Sequence, residues 1–382
     1  MTNGVQEAFR RFFDDYRSKY CLSEEQRKAA WAIMLCKSGA LGCNTSVCEE
    51  CGHIDIHNNS CRNRNCPSCQ AVLKEIWIDN RTSEVIDASY FHVVFTVPYE
   101  LNDLIYANQS VLYSLMHRTV SQTLLQLSAD KKHLGAIPGI IQVLHTWGQV
   151  LNYHPHIHCI VTGAGLTKTN HFVKGRDGFF VPVHILSKVF RGKFIHELRN
   201  LYSAGSLSFS DKLSHLNKTA EWEEFITSLY KKEWFPFIKE TFNHFGNAIE
   251  YLGRYTHRIA ISNSRILSVS DKGVSFSAKD YRDGVTKTVT LPGVEFIRRF
   301  LMHVLPSGFQ KIRYCGFLNN RSKSRNLAII SVITGKILSK RKLADISPAD
   351  IILIIWGVNI RICPNCKTEG LKLCGRTWHP RI

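Results

Sequence analysis

Two Cys-x2-Cys pairs, Cys48/Cys51 and Cys66/Cys69, stand fourteen residues apart in CNTSVCEECGHIDIHNNSCRNRNCPSCQ. So short and polar a segment has little apolar core to bury, so it folds around something it binds. Each pair presents two thiolates from one tight turn, and two facing turns make a tetrahedral S4 site. This predicts a structural Zn²⁺ held by Cys48, Cys51, Cys66 and Cys69. Cys43 and Cys61 are left over. Either replaces one of the four, or joins a second ion with His53 or His57. A further cluster, Cys363-x2-Cys366 followed by Cys374 and His379, is a candidate second zinc site. Two pairs at this spacing argue against a redox Cys-x2-Cys.

The opening MTNGVQEAFRRFFDDYRSKY has no long apolar stretch, and its aromatic spacing predicts an amphipathic helix. The most apolar later run, Ile351–Ile360, is too short to cross a bilayer and reads as core. The expectation is a cytoplasmic protein with no membrane partner, nucleoid-associated through DNA, in which thirteen cysteines serve metal rather than disulfides. Lys plus Arg total 49 against 31 for Asp plus Glu, a formal charge of +18, which points to a polyanionic partner. The charge is clustered. From Glu295 to Arg325 seven bases (Arg298, Arg299, Lys311, Arg313, Arg321, Lys323, Arg325) oppose one acid, with Phe and Tyr interleaved. Bases neutralise backbone phosphates, and aromatic faces stack on unpaired bases. Arg62 and Arg64 beside the cysteines are further candidates to reach phosphates.

NYHPHIHCIVTGAG, residues 152–165, reads as a strand. Residues i and i+2 share one face of a strand, so His156 and His158 project together about 7 Å apart and can converge on one divalent ion. His154 has the same parity but lies at the expected turn, Asn152–Pro155. With the turn there, Gln149 falls on the partner strand close to His156. Its oxygen suits Mg²⁺ or Mn²⁺, with His145 and His92 as rivals for the third position. Gly163 and Gly165 leave backbone room for a ligand. In EYLGRYTHRIAISNSRI, Tyr251 and Tyr255 share one helical face, with Arg254, Arg258 and Arg265 around them. By spacing alone these are two core aromatics. Beside a cation, a phenol becomes a nucleophile for phosphoryl transfer.

SCRNRNCPSCQ, FHVVFTVP, HPHIHCIVTGAG, YLGRYTHRIAISNSRI and FIRRFLMHVLPSGFQKIRYCGFLNN together resemble the rolling-circle transposases of the insertion-sequence ninety-one family, within the two-tyrosine HUH endonucleases. The resemblance implies an α+β fold with a central antiparallel sheet, the histidines on its middle strands and the tyrosine helix packed across it. It implies cleavage and rejoining of single-stranded DNA, at element ends and target DNA, through a 5′-phosphotyrosine on Tyr251 or Tyr255. It carries over no third metal ligand. No G-x-x-x-x-G-K-[ST] occurs, so strand separation falls to host replication proteins.

Four parts are expected. They are an N-terminal helical segment (1–40), the zinc module with its linker helix (41–86), the nuclease domain (87–270) and a basic C-terminal region (271–382). Within them, residues 203–220 read as a loop, 221–242 as helix and 273–292 as a hairpin. Two rivals remain: a plasmid-type replication initiator or relaxase, and a non-catalytic zinc-dependent DNA-binding protein. The oligomeric state is not legible.

Overall fold

The structure, a computed structural model, describes residues 4–176, 180–241, 260–280 and 283–379. Two helices come first, α1 (Gly4–Arg17) and α2 (Glu24–Leu35). Phe9, Phe12, Phe13 and Tyr16 recur at helical spacing on α1 and are buried. Ser23 caps α2 through a reciprocal pair of hydrogen bonds with Gln26. The strands β1 (Cys43–Cys48) and β2 (Ile54–Asn58) follow, then α3 (Ala71–Thr82), β3 (Tyr90–Thr96), α4 (Asn102–Ala107) and α5 (Gln109–Ala129). Next are β4 (Ile137–Trp147), β5 (Tyr153–Leu166), β6 (Phe172–Lys174), α6 (Val183–Ser203), α7 (Thr219–Lys231) and β7 (Phe237–Thr241). After Ala260 come β8 (Ile266–Ser270), β9 (Gly273–Lys279), β10 (Thr286–Leu291) and α8 (Gly293–Leu301). The last are β11 (Ile312–Gly316), α9 (Lys323–Thr334), α10 (Pro348–Trp356) and β12 (Leu371–Arg376).

The fold is α+β. Its centre is an antiparallel sheet in the order β11-β4-β5-β3-β7, with β6 pairing the far end of β5. Alternation along β5 decides which side carries chemistry. Ile157, Cys159 and Val161 point into the principal core, which also takes residues from β3, α5 and α6. His156 and His158 point to the opposite face. The outer half of that face is closed by a small core containing Ile141, Ile160, Phe317, Leu327 and Ile330, while among the described residues this core leaves the histidine half uncovered.

Packing joins segments across the boundaries expected from sequence. One core combines α1 and α2 with Ile261, Val274, Phe276, Phe296 and Phe300. A second, three-stranded sheet has the order β12-β1-β2, so residues 371–376 pair with residues 44–48.

Four local expectations need correction. The stretch 221–242 is not one helix, because the proline at position 236 forbids its continuation and Phe237–Thr241 joins the main sheet instead. Residues 203–220, expected as a mobile loop, do lack helix or strand over 206–210, but Leu207, Leu213 and Leu216 anchor them in the main core. Of the apolar run 351–360, Ile351 is buried while Ile354, Trp356, Val358 and Ile360 are exposed. Gly163 and Gly165 serve close chain packing rather than a ligand. A Cβ on Gly163 would lie 2.4 Å from Ser89 Oγ, and one on Gly165 2.5 Å from the Ile137 carbonyl oxygen.

Candidate functional site

The β4–β5 hairpin builds the histidine site. Its turn is Gly148–Asn152, closed by the Gly148 N–H donating to the Asn152 carbonyl at 3.0 Å, with Leu151 at φ +60°. This lies earlier than the turn expected at Asn152–Pro155. Pro155 instead falls inside β5, where the register slips between His145 and Trp147 and a residue without an N–H is tolerated. The consequence is that His145, not Gln149, stands directly opposite His156. Gln149 lies in the turn, lines the same cavity, and accepts a hydrogen bond on its carbonyl from Arg265 Nη2 at 2.6 Å.

His145, His156 and His158 bring one ring nitrogen each to within 4.8 Å of one another. His156 Nδ1 lies 2.7 Å from the His154 carbonyl oxygen, which can only accept. The proton therefore sits on Nδ1, and Nε2 keeps its lone pair. That Nε2 is 3.1 Å from His158 Nε2, a gap that a single ion about 2.1 Å from each nitrogen spans. His158 Nδ1 is 2.9 Å from Nε2 of His92 on β3. If His158 offers Nε2 to an ion, its Nδ1–H donates to His92, the outer hydrogen bond that orients a ligating imidazole. Burial holds the His92 and His156 imidazoles down at about 4, with Lys239 adding to the effect at His92 and His154 at His156. Both are neutral at neutral pH. The donor set is neutral nitrogen aimed at one point, and it fits a divalent cation.

These rings floor an open cavity of about 690 Å³. Trp147, stacked on His145 at 4.5 Å between ring centroids, forms part of the wall. Arg265, Lys279 and Lys287 bring positive charge to it, and Asp280 is paired with Lys287. Phe237 of β7 and Arg265 also line it. Tyr251, Tyr255, Arg254 and Arg258 lie outside the described residues.

The cysteines are grouped differently from the sequence expectation. Cys66 and Cys69 meet Cys36 and Cys61, whereas Cys48 and Cys51 meet Cys363 and Cys366. In the first tetrad Cys69 Sγ lies 3.5 Å from Cys36 Sγ and 3.6 Å from Cys61 Sγ. Four sulfurs about 2.3 Å from a tetrahedral Zn²⁺ are separated by about 3.8 Å, so the tetrad fits that ion. Backbone N–H groups of Cys61 and Asn63 aim at Cys36 Sγ and Cys61 Sγ. Cys374 lies exposed on β12 with its thiol toward the Lys372 carbonyl, and His379 is exposed, so neither joins the cysteines they were grouped with. Cys36 was hidden from sequence reasoning inside an apparent helical segment. Its signal would have been the uneven run Cys61-x4-Cys66-x2-Cys69, which supplies only three ligands.

The basic residues divide by what already holds them. Arg64 donates to the carbonyls of Phe309, Leu305 and Pro306 at 2.8–3.0 Å, tying the cysteine module to the main body. Arg298 and Arg299 share Glu295, whose carboxyl they hold down at about 2. Arg313 donates to Ser114 Oγ, and Lys311 lies over the Trp147 ring at 4.9 Å. Arg62 is exposed, over the ring of Trp378.

Residues 139–325 match a family model described as a putative transposase, and residues 8–97 match a transposase zinc-binding domain of the insertion-sequence ninety-one type. A putative transposase, y4qJ, of Sinorhizobium fredii is 41% identical over 367 residues, covering 95% of this chain and 92% of that protein. The chain belongs to the insertion-sequence ninety-one transposase family. The transposase for insertion sequence element IS801 of Pseudomonas savastanoi pv. phaseolicola is 28% identical over 296 residues, 76% of this chain and 69% of that one. No solved structure matches the chain. The Cys36/Cys61/Cys66/Cys69 tetrad lies wholly inside the segment that matches the family's zinc-binding domain. Among the described residues no helix is long and apolar enough to cross a membrane.

Proposed function

We propose that this family member cuts and rejoins single-stranded DNA, at element ends and target DNA, through a covalent tyrosine intermediate in rolling-circle-like transposition. The observation that carries this reading is the convergence of His145, His156 and His158 on the floor of one open, basic-rimmed cavity. Bound Mg²⁺ or Mn²⁺ supplies the charge that polarises a scissile phosphate. His156 and His158 hold it through Nε2, with His145 as the third protein ligand and Gln149 at the cavity edge. His92 fixes the His158 tautomer. Arg265, Lys279 and Lys287 pair with backbone phosphates and align the strand.

Tyr251 and Tyr255 are the nucleophiles. A tyrosyl oxygen, its proton released, forms a bond to phosphorus. The bond to the 3′-oxygen breaks, and that oxygen takes up a proton as a free 3′-hydroxyl. The DNA 5′-phosphate is left on tyrosine, and attack by a 3′-hydroxyl reverses the step. The energy of the phosphodiester is conserved, so no nucleotide hydrolysis is required. The second tyrosine takes the other strand, so donor cleavage and target joining alternate. Host replication proteins open the duplex.

Incubation with a 5′-extended single-stranded oligonucleotide and Mn²⁺ is expected to give a protein–DNA adduct that survives denaturation. The Tyr251→Phe, Tyr255→Phe double variant is expected to give none. Adduct formation by the double variant at the wild-type level rejects the nucleophile assignment. No adduct with the wild type across single-stranded element ends favours the DNA-binding rival.

A further inference from the structure

The second cysteine tetrad lies only half inside the segment that matches the family's zinc-binding domain. Cys48 and Cys51 fall within residues 8–97, but Cys363 and Cys366 lie far beyond them. Cys48 Sγ is 3.6 Å from Cys366 Sγ, 318 residues away in sequence, and Cys51 Sγ is 3.7 Å from Cys363 Sγ. These gaps match the roughly 3.8 Å between sulfurs of a tetrahedral zinc thiolate site.

The backbone repeats the same turn on both sides. The N–H of Gly52 donates to the Cys48 carbonyl at 2.9 Å, and the N–H of Lys367 donates to the Cys363 carbonyl at 3.0 Å. The N–H of Cys48 donates to the His53 carbonyl at 2.9 Å, and that of Cys363 to the Thr368 carbonyl at 2.8 Å. The residue after the second cysteine is left-handed in both, Gly52 at φ +71° and Lys367 at φ +63°. A lysine bears a strain there that glycine does not. Each turn then feeds a strand, β2 after the first and β12 after the second, and both strands pair with β1. Two equivalent turns facing each other over a three-stranded sheet are the parts of a zinc ribbon. Its halves are supplied by distant segments.

The surroundings are built for the sulfurs. Asn365 Nδ2 points at Cys51 Sγ at 3.6 Å, and Thr368 Oγ1 lies 2.9 Å from Cys366 Sγ. Gly370 admits the cluster, since a Cβ there would lie 2.9 Å from Cys48 Sγ. The Glu49 N–H donates to the Gly370 carbonyl, and Lys372 pairs with Glu49 across the same seam.

We infer that Cys48, Cys51, Cys363 and Cys366 bind a second structural Zn²⁺ that fastens the C-terminal segment onto the N-terminal module. The site is independent of the strand-transfer chemistry. Its ion closes a loop of more than three hundred residues, the case in which a cross-link constrains the unfolded chain most.

Full-length protein purified with zinc is expected to carry two thiolate-bound ions per chain by native mass spectrometry and elemental analysis, any ion at the histidine site being counted apart by its loss in His156→Ala, His158→Ala. Cys363→Ser, Cys366→Ser is expected to carry one, with adduct formation retained. One ion in the wild type, or two in the double variant, overturns the inference. A second measurement leaves every cysteine in place. A specific protease sequence is inserted in the exposed stretch 339–341 of the full chain, and the protein is cleaved. The C-terminal fragment is expected to stay with the body in zinc and to leave when a chelator removes both ions. The nicked Cys36→Ser, Cys69→Ser variant is expected to keep the fragment in zinc. Full retention after both ions are stripped overturns the inference.

Discussion

His92 Nε2 lies 2.9 Å from His158 Nδ1, and the two rings are nearly coplanar in orientation, 6° apart. His92 thus decides which nitrogen of His158 faces the cavity, without itself reaching the position between His156 and His158. His92→Ala is expected to lower Mn²⁺ affinity by about 10–100-fold, the usual effect of losing a ligand's outer partner. His92→Gln, which can still accept, is expected to recover part of it. Isothermal titration with Mn²⁺ on folded variants checks this, and unchanged affinity in His92→Ala removes His92 from the site.

His145 and His158 are expected to matter for cleavage more than for DNA affinity. His158→Ala and His145→Ala should each abolish the covalent adduct while single-strand binding changes less than about threefold, because binding rests on dispersed bases. Gln149→Ala should cost less than His145→Ala. Side-by-side adduct and filter-binding assays test the ordering. A larger loss from Gln149→Ala would hand the third ligand position back to the turn.

Affinity for single-stranded DNA is expected to fall steeply with salt, with a log–log slope of about −0.7 per phosphate neutralised. Lys279→Ala should flatten the slope, and Lys287→Ala should do so less, because Lys287 is paired with Asp280 and Asp283. Arg298→Ala should not, because Arg298 is already committed to Glu295. A flat salt dependence in the wild type would contradict the basic-cavity reading.

Arg64 tests the attachment of the cysteine module. Arg64→Ala removes three hydrogen bonds to the 305–309 segment and is expected to cost about 1–2 kcal/mol in unfolding free energy, with the salt slope intact. Denaturant melts alongside the binding titration separate the two effects. A variant with full stability and a flatter slope would make Arg64 a phosphate contact.

Acid sensitivity follows from buried neutral histidines away from the ion. His303, bonded to Thr146 and the Leu151 carbonyl, is held down from 6.5 to about 4 by burial. His117, beside Gln142, is held down to about 3, again chiefly by burial. The folded pKa is below the unfolded one, so between these values the unfolded chain binds more protons. Stability is full above about 6.5 and falls as pH drops toward 4, by up to about 1.4 kcal/mol per unit for each group. Urea melts across that range should show the decline, and His303→Gln should lessen it. A flat profile would mean these histidines titrate normally.

The His-x-His face was legible because strand alternation is local and strict: His156 and His158 share a side whatever they pair with. The third partner was not, because it depends on register. An Asn-Pro pairing nearby suggested a turn, while the chain turns three residues earlier with Leu151 left-handed, a conformation its sequence does not advertise. The cysteines show the same division. Spacing identified each Cys-x2-Cys turn as a ligand pair, but nothing local says which turn faces which. Cys36 sits beyond a helix, and Cys363 is brought to Cys51 from 312 residues away, beside the β1–β12 pairing. The proline at 236 was the one local sign that the helix before it stops.

Strand β1 lies between β2 and β12 in the small sheet. During translation β1 and β2 emerge well before the strand that completes them, β12, which lies more than three hundred residues further on. Until then β1 presents an unpaired edge, and Cys48 and Cys51 have no counterparts. A nascent or prematurely terminated product therefore displays both a sticky edge and reactive thiols. Only a chain that includes β12 has both edges of β1 paired and all four cysteines of the second tetrad together.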